Sequence, residues 1–235
     1  MHKSWNKGFT KLTHLSVLKI SETMRKKRLD NFSCWRERMK KEGKLKFVYN
    51  PFEKNGDLAE LIGVILGDGH IEKFPRTERL YIASNSKNEG FIKRYAKLIE
   101  DIFKKAPTCT KMKKANCVRI SLYEKFISKR LKIPTGNRKE INFKIPIWIK
   151  KNKNHLIRFL RGLYEAEGSF CIHKPTSTYK LFFANKNSSL LDLVYDSLKE
   201  LGFHPNKSSY KIQVSRKEEV YRSKDLLEFR NYNIK

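Results

Sequence analysis

Acidic residues are scarce in this chain: 24 Asp and Glu stand against 52 Lys and Arg in 235 residues, a formal charge of +28. A protein so short of negative charge needs a polyanionic partner, although charge alone does not separate DNA from RNA. Cysteines are few, at positions 34, 109, 117 and 171, with no Cys-x-x-Cys pair and no histidine at zinc-finger spacing. A zinc module is thereby excluded, and the expectation is of buried thiols in a reducing compartment. Long apolar runs are missing too. The stretch Leu61–Leu66, interrupted by Gly63, is far too short to span a bilayer, and Met1 to Asn6 lacks the apolar core of a signal peptide, so no membrane partner and an intracellular location are expected. A hydrophobic fraction of 39% still suffices for a packed core, so this is no disordered basic tail.

What the chain does have is one design used twice. Leu61-Ile62-Gly63-Val64-Ile65-Leu66-Gly67-Asp68-Gly69 and Leu160-Arg161-Gly162-Leu163-Tyr164-Glu165-Ala166-Glu167-Gly168 each read as an apolar helix that ends in a carboxylate followed by glycine. Gly63 and Gly67, like Gly162 and Ala166, recur at i and i+4 and so share a helix face on which two backbones can approach closely. A carboxylate at a helix C-terminus sits against the helix dipole and calls for a compensating cation. If the two helices pack side by side, Asp68 and Glu167 meet and form an oxygen-rich site of the kind that suits magnesium. For either segment alone, a buried helix followed by a tight turn is explanation enough; the second copy is what argues for a site.

The repetition extends well past these nonamers. A strand around Leu80-Tyr81-Ile82-Ala83, a polar turn at Asn85-Ser86-Lys87 and a helix with Phe91, Tyr95, Leu98 and Ile102 on one face are matched by Leu181-Phe182-Phe183-Ala184, Asn185-Lys186-Asn187 and a helix with Leu190, Val194, Leu198 and Leu201 aligned. Val118-Arg119-Ile120-Ser121 is echoed by Ile212-Gln213-Val214-Ser215. Each unit therefore reads as helix, two strands, helix, strand and helix, a duplication expected of a pseudo-dimer within one chain. Asp57 with Glu60 fits a capping box opening the first motif helix after the Asn55-Gly56 turn. Between the units, Pro134, Gly136 and Pro146 punctuate a basic connection. Residues 1 to about 46 differ in texture: basic clusters at Met24–Arg28 and Arg36–Lys41 alternate with Trp5, Phe9, Phe32 and Trp35, and helices are expected over Leu15 to Arg25 and from near Asn31 to Gly43.

These motifs resemble those of the LAGLIDADG homing endonucleases of the single-chain, two-motif kind, over roughly Phe47 to Lys235. The small residues on the packing face, the acidic eighth position and the closing glycine of both nonamers carry the resemblance, with Leu58-Ala59-Glu60-Leu61-Ile62-Gly63 and Phe159–Tyr164 adding to it. The resemblance implies a mixed α/β (α+β) fold of two pseudo-symmetric αββαββα units with saddle-shaped antiparallel sheets, over 47–150 and 151–235, beside a basic helical extension at 1–46. It also implies a monomer that cuts double-stranded DNA at a long asymmetric target, uses Mg2+ or Mn2+ and leaves short 3′ overhangs. The start of the extension, Trp5-Asn6-Lys7-Gly8-Phe9-Thr10-Lys11, is similar to small DNA-binding modules appended to such enzymes.

On that resemblance Asp68 and Glu167 are the expected metal ligands, with the carbonyls of Gly67 and Ala166 as further candidates. Lys186 and Lys139 are the candidates for electrostatic assistance, each weighed against an ordinary phosphate contact. Ser86 departs from the glutamine or lysine usual at its position, which leaves the first unit's water-ordering residue open. Glu165 is set outside the site and expected to form a surface ion pair with Arg161. Base and backbone contacts are expected from the turn residues Asn85, Ser86, Lys87 and Asn185 and from alternate strand positions: Glu72, Arg76, Arg79, Tyr81, Arg119 and Ser121 in one unit, His173, Lys180, Phe182, Lys211 and Gln213 in the other. A slip of one residue would invert this list. Two other functions fit the same residues: an RNA maturase that binds its own intron, and a non-catalytic DNA-binding regulator, against which the retention of both carboxylates argues.

Overall fold

A computed structural model describes residues 5–30, 32–43, 48–113, 115–136 and 142–232. The chain divides between Tyr49 and Asn50 into a small amino-terminal unit and a large one. The small unit holds helices α1 (Leu15–Lys26) and α2 (Ser33–Lys41), neither of which buries a single residue. Trp5, Leu12, Phe32 and Trp35 are all exposed, and Phe9 is covered only in part, by stacking on His14 at 4.5 Å between centroids. The second helix ends before Gly43, whose φ of +68° only glycine adopts without strain. The expected start of this helix near Asn31 lies outside the described residues.

The large unit contains two successive copies of one pattern. The first runs α3 (Gly56–Gly67), β1 (Gly69–Lys73), β2 (Glu78–Asn85), α4 (Glu89–Phe103), β3 (Thr108–Lys111), β4 (Cys117–Glu124) and α5 (Ile127–Leu131). After the short connecting helix α6 (Ile147–Lys150), the second runs α7 (Lys153–Glu167), β5 (Gly168–His173), β6 (Thr178–Ala184), α8 (Ser188–Glu200), β7 (Asn206–Ser208), β8 (Lys211–Val214) and α9 (Lys217–Leu226). Each copy forms an antiparallel four-stranded sheet, in the order β1-β2-β4-β3 and β5-β6-β8-β7. This is the αββαββα duplication implied by the family resemblance. The reading from residues alone, with one strand after the second helix, missed β3 and β7. Both are short edge strands whose residues are all exposed, so no apolar alternation marks them.

Alternation along the paired inner strands fixes which face meets the core. Leu80, Ile82, Ile120 and Leu122 in the first sheet, and Leu181, Phe183, Ile212 and Val214 in the second, are buried beneath helices. Phe91, Tyr95, Leu98, Ile99 and Phe103 of α4 line one of these cores; Leu190, Leu191, Val194 and Leu198 of α8 line its counterpart. Gly202, at φ +77°, ends α8 as its sequence predicted.

Two local expectations need correction. The cap of α3 is Asn55, whose side chain accepts from Leu58 N at 2.9 Å; Glu60 turns away into the interior and takes no part in a capping box. The cysteines are not buried: Cys34, Cys109 and Cys171 are exposed and Cys117 is half-buried, since Cys109 sits on an edge strand and Cys171 on the uncovered face of β5. No described helix is long and apolar enough to cross a membrane.

Candidate functional site

Helices α3 and α7 lie against each other through their small residues. A β-carbon on Gly63 would overlap the carbonyl oxygen of Phe159, and one on Gly162 would overlap that of Glu60. Lower down, a β-carbon on Gly67 would collide with Cβ of Ala166 and stand 3.5 Å from Cγ of Glu167. The two helices therefore end side by side. Asp68, the C-cap of α3, and Glu167, the last residue of α7, are carried to the same end of the helix pair, at the point where each chain enters its sheet.

Glu167 is held from the second sheet. Its Oε1 accepts a hydrogen bond from Nδ2 of Asn185 at 3.3 Å, while Oδ1 of the same asparagine accepts from Asn187 N at 2.8 Å. The turn bond fixes which end of the amide faces the carboxylate. Glu167, Asn185, Lys186, Asn187 and His70 share a cleft of about 530 Å³, whose apolar wall includes Ile65, Ile133 and Phe143. His70 and Tyr210, also lining this cleft, were not picked out from the sequence; for His70 the available signal was its place two residues after Asp68. The first unit repeats the turn, with Lys87 N donating to Asn85 Oδ1 at 2.9 Å, and Ser86 N donates to Asn116 O at 3.1 Å. Ser86 thus stands where the second unit has Lys186. Lys139 lies outside the described residues.

The donors present suit a hard divalent ion. Among the described residues no group of three or more His, Cys, Asp or Glu could hold a metal, so a cage built from side chains alone is absent. Asp68 and Glu167, each following Gly67 or Ala166 directly in the chain, would leave coordination positions for water and phosphate oxygens, as magnesium favours. A structural zinc cage would need more side-chain ligands.

Above this pair of carboxylates a buried ionic network ties α3 to α7. Glu60 accepts from Arg94 Nε at 2.6 Å and Nη2 at 2.8 Å, from Arg158 Nε at 2.6 Å and from Tyr95 Oη at 3.3 Å. Burial works to raise the pKa of Glu60, but the hydrogen bond and charge of Arg94, together with the charges of Arg158 and Arg161, outweigh it and hold the carboxyl below its usual range. Arg158 also reaches Asp57 at 2.5 Å. The expected surface pair between Glu165 and Arg161 is not formed. Both residues are buried: Glu165 accepts from Arg230 N and Tyr232 Oη, each at 2.5 Å, while Arg161 donates to Glu228 and to Asn231 O. Desolvation pushes the Glu165 carboxyl up despite those donors. Sequence spacing suggested an i,i+4 pair, but the C-terminal residues fold back and supply each side chain with another partner.

The strand candidates fall on the face turned away from the cores. Register places Glu72 opposite Arg79, Tyr81 opposite Ser121 and Arg119 opposite Ala83 in the first sheet, and Lys180 opposite Cys171, Phe182 opposite Gln213 and Lys211 opposite Ala184 in the second. His173 is exposed at the end of β5, where Nδ1 pairs with Thr176 Oγ1 at 2.7 Å. Arg76 lies apart from them in the β1–β2 turn, exposed. Arg79 donates to Glu72 and, at 3.2 Å, to Tyr123 Oη. Tyr123 is a neighbour that the sequence reading did not include.

Residues 154–232 match the family model described as a LAGLIDADG-like domain. Among solved structures, the chain is similar to I-DmoI in complex with DNA and Mn, with a TM-score of 0.51 at 20% identity over 74% of this chain and 97% of that one. It is similar to the LAGLIDADG meganuclease I-AabMI bound to uncleaved DNA, with a TM-score of 0.50 at 15% identity over 76% and 84% of the two chains. The N-terminal LAGLIDADG domain of DUF199/WhiA gives a TM-score of 0.50 at 16% identity over 74% and 82%. No curated protein sequence matches the chain significantly.

Proposed function

We propose that this chain, a single-chain LAGLIDADG protein with two motif helices, is a site-specific endonuclease that hydrolyses both strands of duplex DNA. The observation that carries this reading is the pairing of α3 and α7, which delivers Asp68 and Glu167 to one end of a helix pair flanked by two uncovered, basic sheet faces. Asp68 and Glu167 would hold a divalent ion, Mg2+ or Mn2+, which supplies charge neutralisation on the scissile phosphate and a more acidic water. Asn185 orients Glu167. Lys186, which lines the same cleft, would lend positive charge to a non-bridging phosphate oxygen as water attacks phosphorus and the 3′ oxygen leaves. The second unit carries this lysine and the first carries Ser86, so the two strands meet unlike surroundings. Cuts that leave short 3′ overhangs belong to this reading, as does action as a single chain.

The amino-terminal unit extends the footprint in the same proposal. Arg25, Lys26, Arg38, Lys40 and Lys41 crowd the last turns of α1 and α2, and the aromatics between them are exposed. That surface suits the backbone of DNA flanking the target.

The test is cleavage of a randomised duplex library with magnesium, run beside Asp68→Asn and Glu167→Gln proteins, with cut ends sequenced and binding followed separately. The wild-type protein is expected to enrich one long asymmetric site. Each variant is expected to lose cutting and keep DNA binding. Cutting retained by both variants would overturn the assignment of the carboxylates, and preference for a structured RNA over duplex DNA would favour a maturase.

A further inference from the structure

The geometry points to a target whose two halves differ in base composition: guanine read by a paired-arginine cluster on the first sheet, adenine and thymine read by the Gln213–Phe182 pair on the second. This rests on the endonuclease reading above and specifies its substrate.

The two uncovered faces differ in chemistry, although they share one topology. On the first sheet the guanidinium groups of Arg79 and Arg119 both lie against the ring of Tyr81, with Cζ at 5.1 and 4.6 Å from its centroid. Arg79 is further fixed by Glu72 and by the Tyr123 hydroxyl. The Nε–H of each arginine is buried with no acceptor among the described residues. Both cations are therefore held close to the sheet, in place before DNA arrives. An arginine so placed loses little side-chain entropy on binding, and its planar fork matches O6 and N7 of guanine better than any other base edge.

No arginine and no carboxylate occupies an outward position of β5, β6, β7 or β8. Their place is taken by Gln213 directly opposite Phe182, with Lys211 Nζ 5.4 Å from the Phe182 ring. A glutamine amide pairs bidentately with N6 and N7 of adenine, and an aromatic edge packs against the methyl of thymine. Lysine, a compact charge without a fork, adds attraction for phosphate with less power to choose a base. Glu72 is the one carboxylate on the outward face of β1, and it accepts a hydrogen bond from Arg79.

The experiment is selection of bound sequences from a randomised duplex pool by the full-length protein in calcium, repeated with Arg79→Leu, Arg119→Leu and Gln213→Leu. All three positions are on the uncovered face, and thermal melting checks that each variant folds. The wild-type site is expected to hold guanines in one half and an A·T-biased block in the other. Each arginine variant should lower the guanine preference at one position by roughly 5- to 100-fold and leave the other half unchanged; Gln213→Leu should relax the second half only. An enriched site with guanine spread over both halves, or unmoved by either arginine variant, would overturn this inference and leave the endonuclease reading standing. A pool with no enriched sequence would remove both.

Discussion

Arg158 of α7 donates from Nε to Glu60 of α3 at 2.6 Å, a charge pair that crosses from one half of the duplication to the other. In the aligned motifs Glu60 corresponds to Phe159 and Arg158 to Ala59, so neither half carries both partners. Two first halves would bring two glutamates together, each keeping Arg94 and losing Arg158, and two second halves would crowd arginines that lack the shared Glu60. The network thereby defines which helix packs against which.

Glu60→Gln should therefore destabilise the protein by about 3 to 5 kcal/mol, because Arg94, Arg158 and Arg161 would lose their common anion. Since the folded-state pKa of Glu60 is held down, its contribution is fully present above the unfolded value of 4.5 and fades as pH falls towards the folded one. Melting temperature measured from pH 7 to pH 3.5 checks this. The wild type should lose stability on acidification below about 4.5, and the variant should start lower and fall less steeply.

Close helix contact gives a second prediction. Gly67→Ala sets two β-carbons against each other at the helix ends, where Ala166 already has one. The cost expected is about 1 to 3 kcal/mol, with a loss of cutting as Asp68 and Glu167 are pushed apart. The double change Gly67→Ala with Ala166→Gly restores one methyl at that contact and should recover much of both. Gly63→Ala and Gly162→Ala meet backbone oxygens, and a compensating side-chain change has nothing to act on. Chemical denaturation and cleavage of a selected target separate these cases.

The small-residue rhythm of α3 and α7 was legible in the sequence because packing there depends on four residues at fixed spacing. Positions on β4 and β8 were legible from alternation: Ile120 stands between Arg119 and Ser121, and Ile212 between Lys211 and Gln213. The role of Glu60 was not legible, since Arg94 and Arg158 lie 34 and 98 residues away and nothing local announces them. A local pattern, the capping box, instead claimed this residue. The support of Glu167 by Asn185 is similar. Its local half, the turn to Asn187, could be read from the sequence, whereas its contact with the carboxylate depends on how β6 returns beneath α7. Glu165 and Arg161 were misassigned because the return of residues 228–232 onto α7 leaves no mark in the helix itself.

Asn185→Ala should slow cutting by roughly 10- to 100-fold, the usual cost of removing a group that orients a metal ligand, with little change in affinity for DNA. Asn85→Ala breaks the equivalent turn in the first unit and serves as the comparison. If Asn185 acts on Glu167, its variant should need more magnesium for half-maximal rate than the wild type does. An unchanged magnesium dependence with a lowered melting temperature would show that the asparagine serves the turn alone.

Salt dependence measures the reach of the basic surface. With about 6 to 10 phosphates neutralised, affinity for duplex DNA should fall by roughly 10³- to 10⁵-fold between 50 and 200 mM salt. Arg25, Lys26, Lys27 and Arg28 close α1 without a buried residue, so replacing all four with glutamine leaves packing untouched. If each of the four meets a phosphate, the slope of log affinity against log salt should shrink by about 3 to 4. Base preference across the central target should stay the same, because these residues would grip the flanking backbone while the two sheets read the sequence. A slope identical to that of the wild type would show that the amino-terminal unit does not touch DNA.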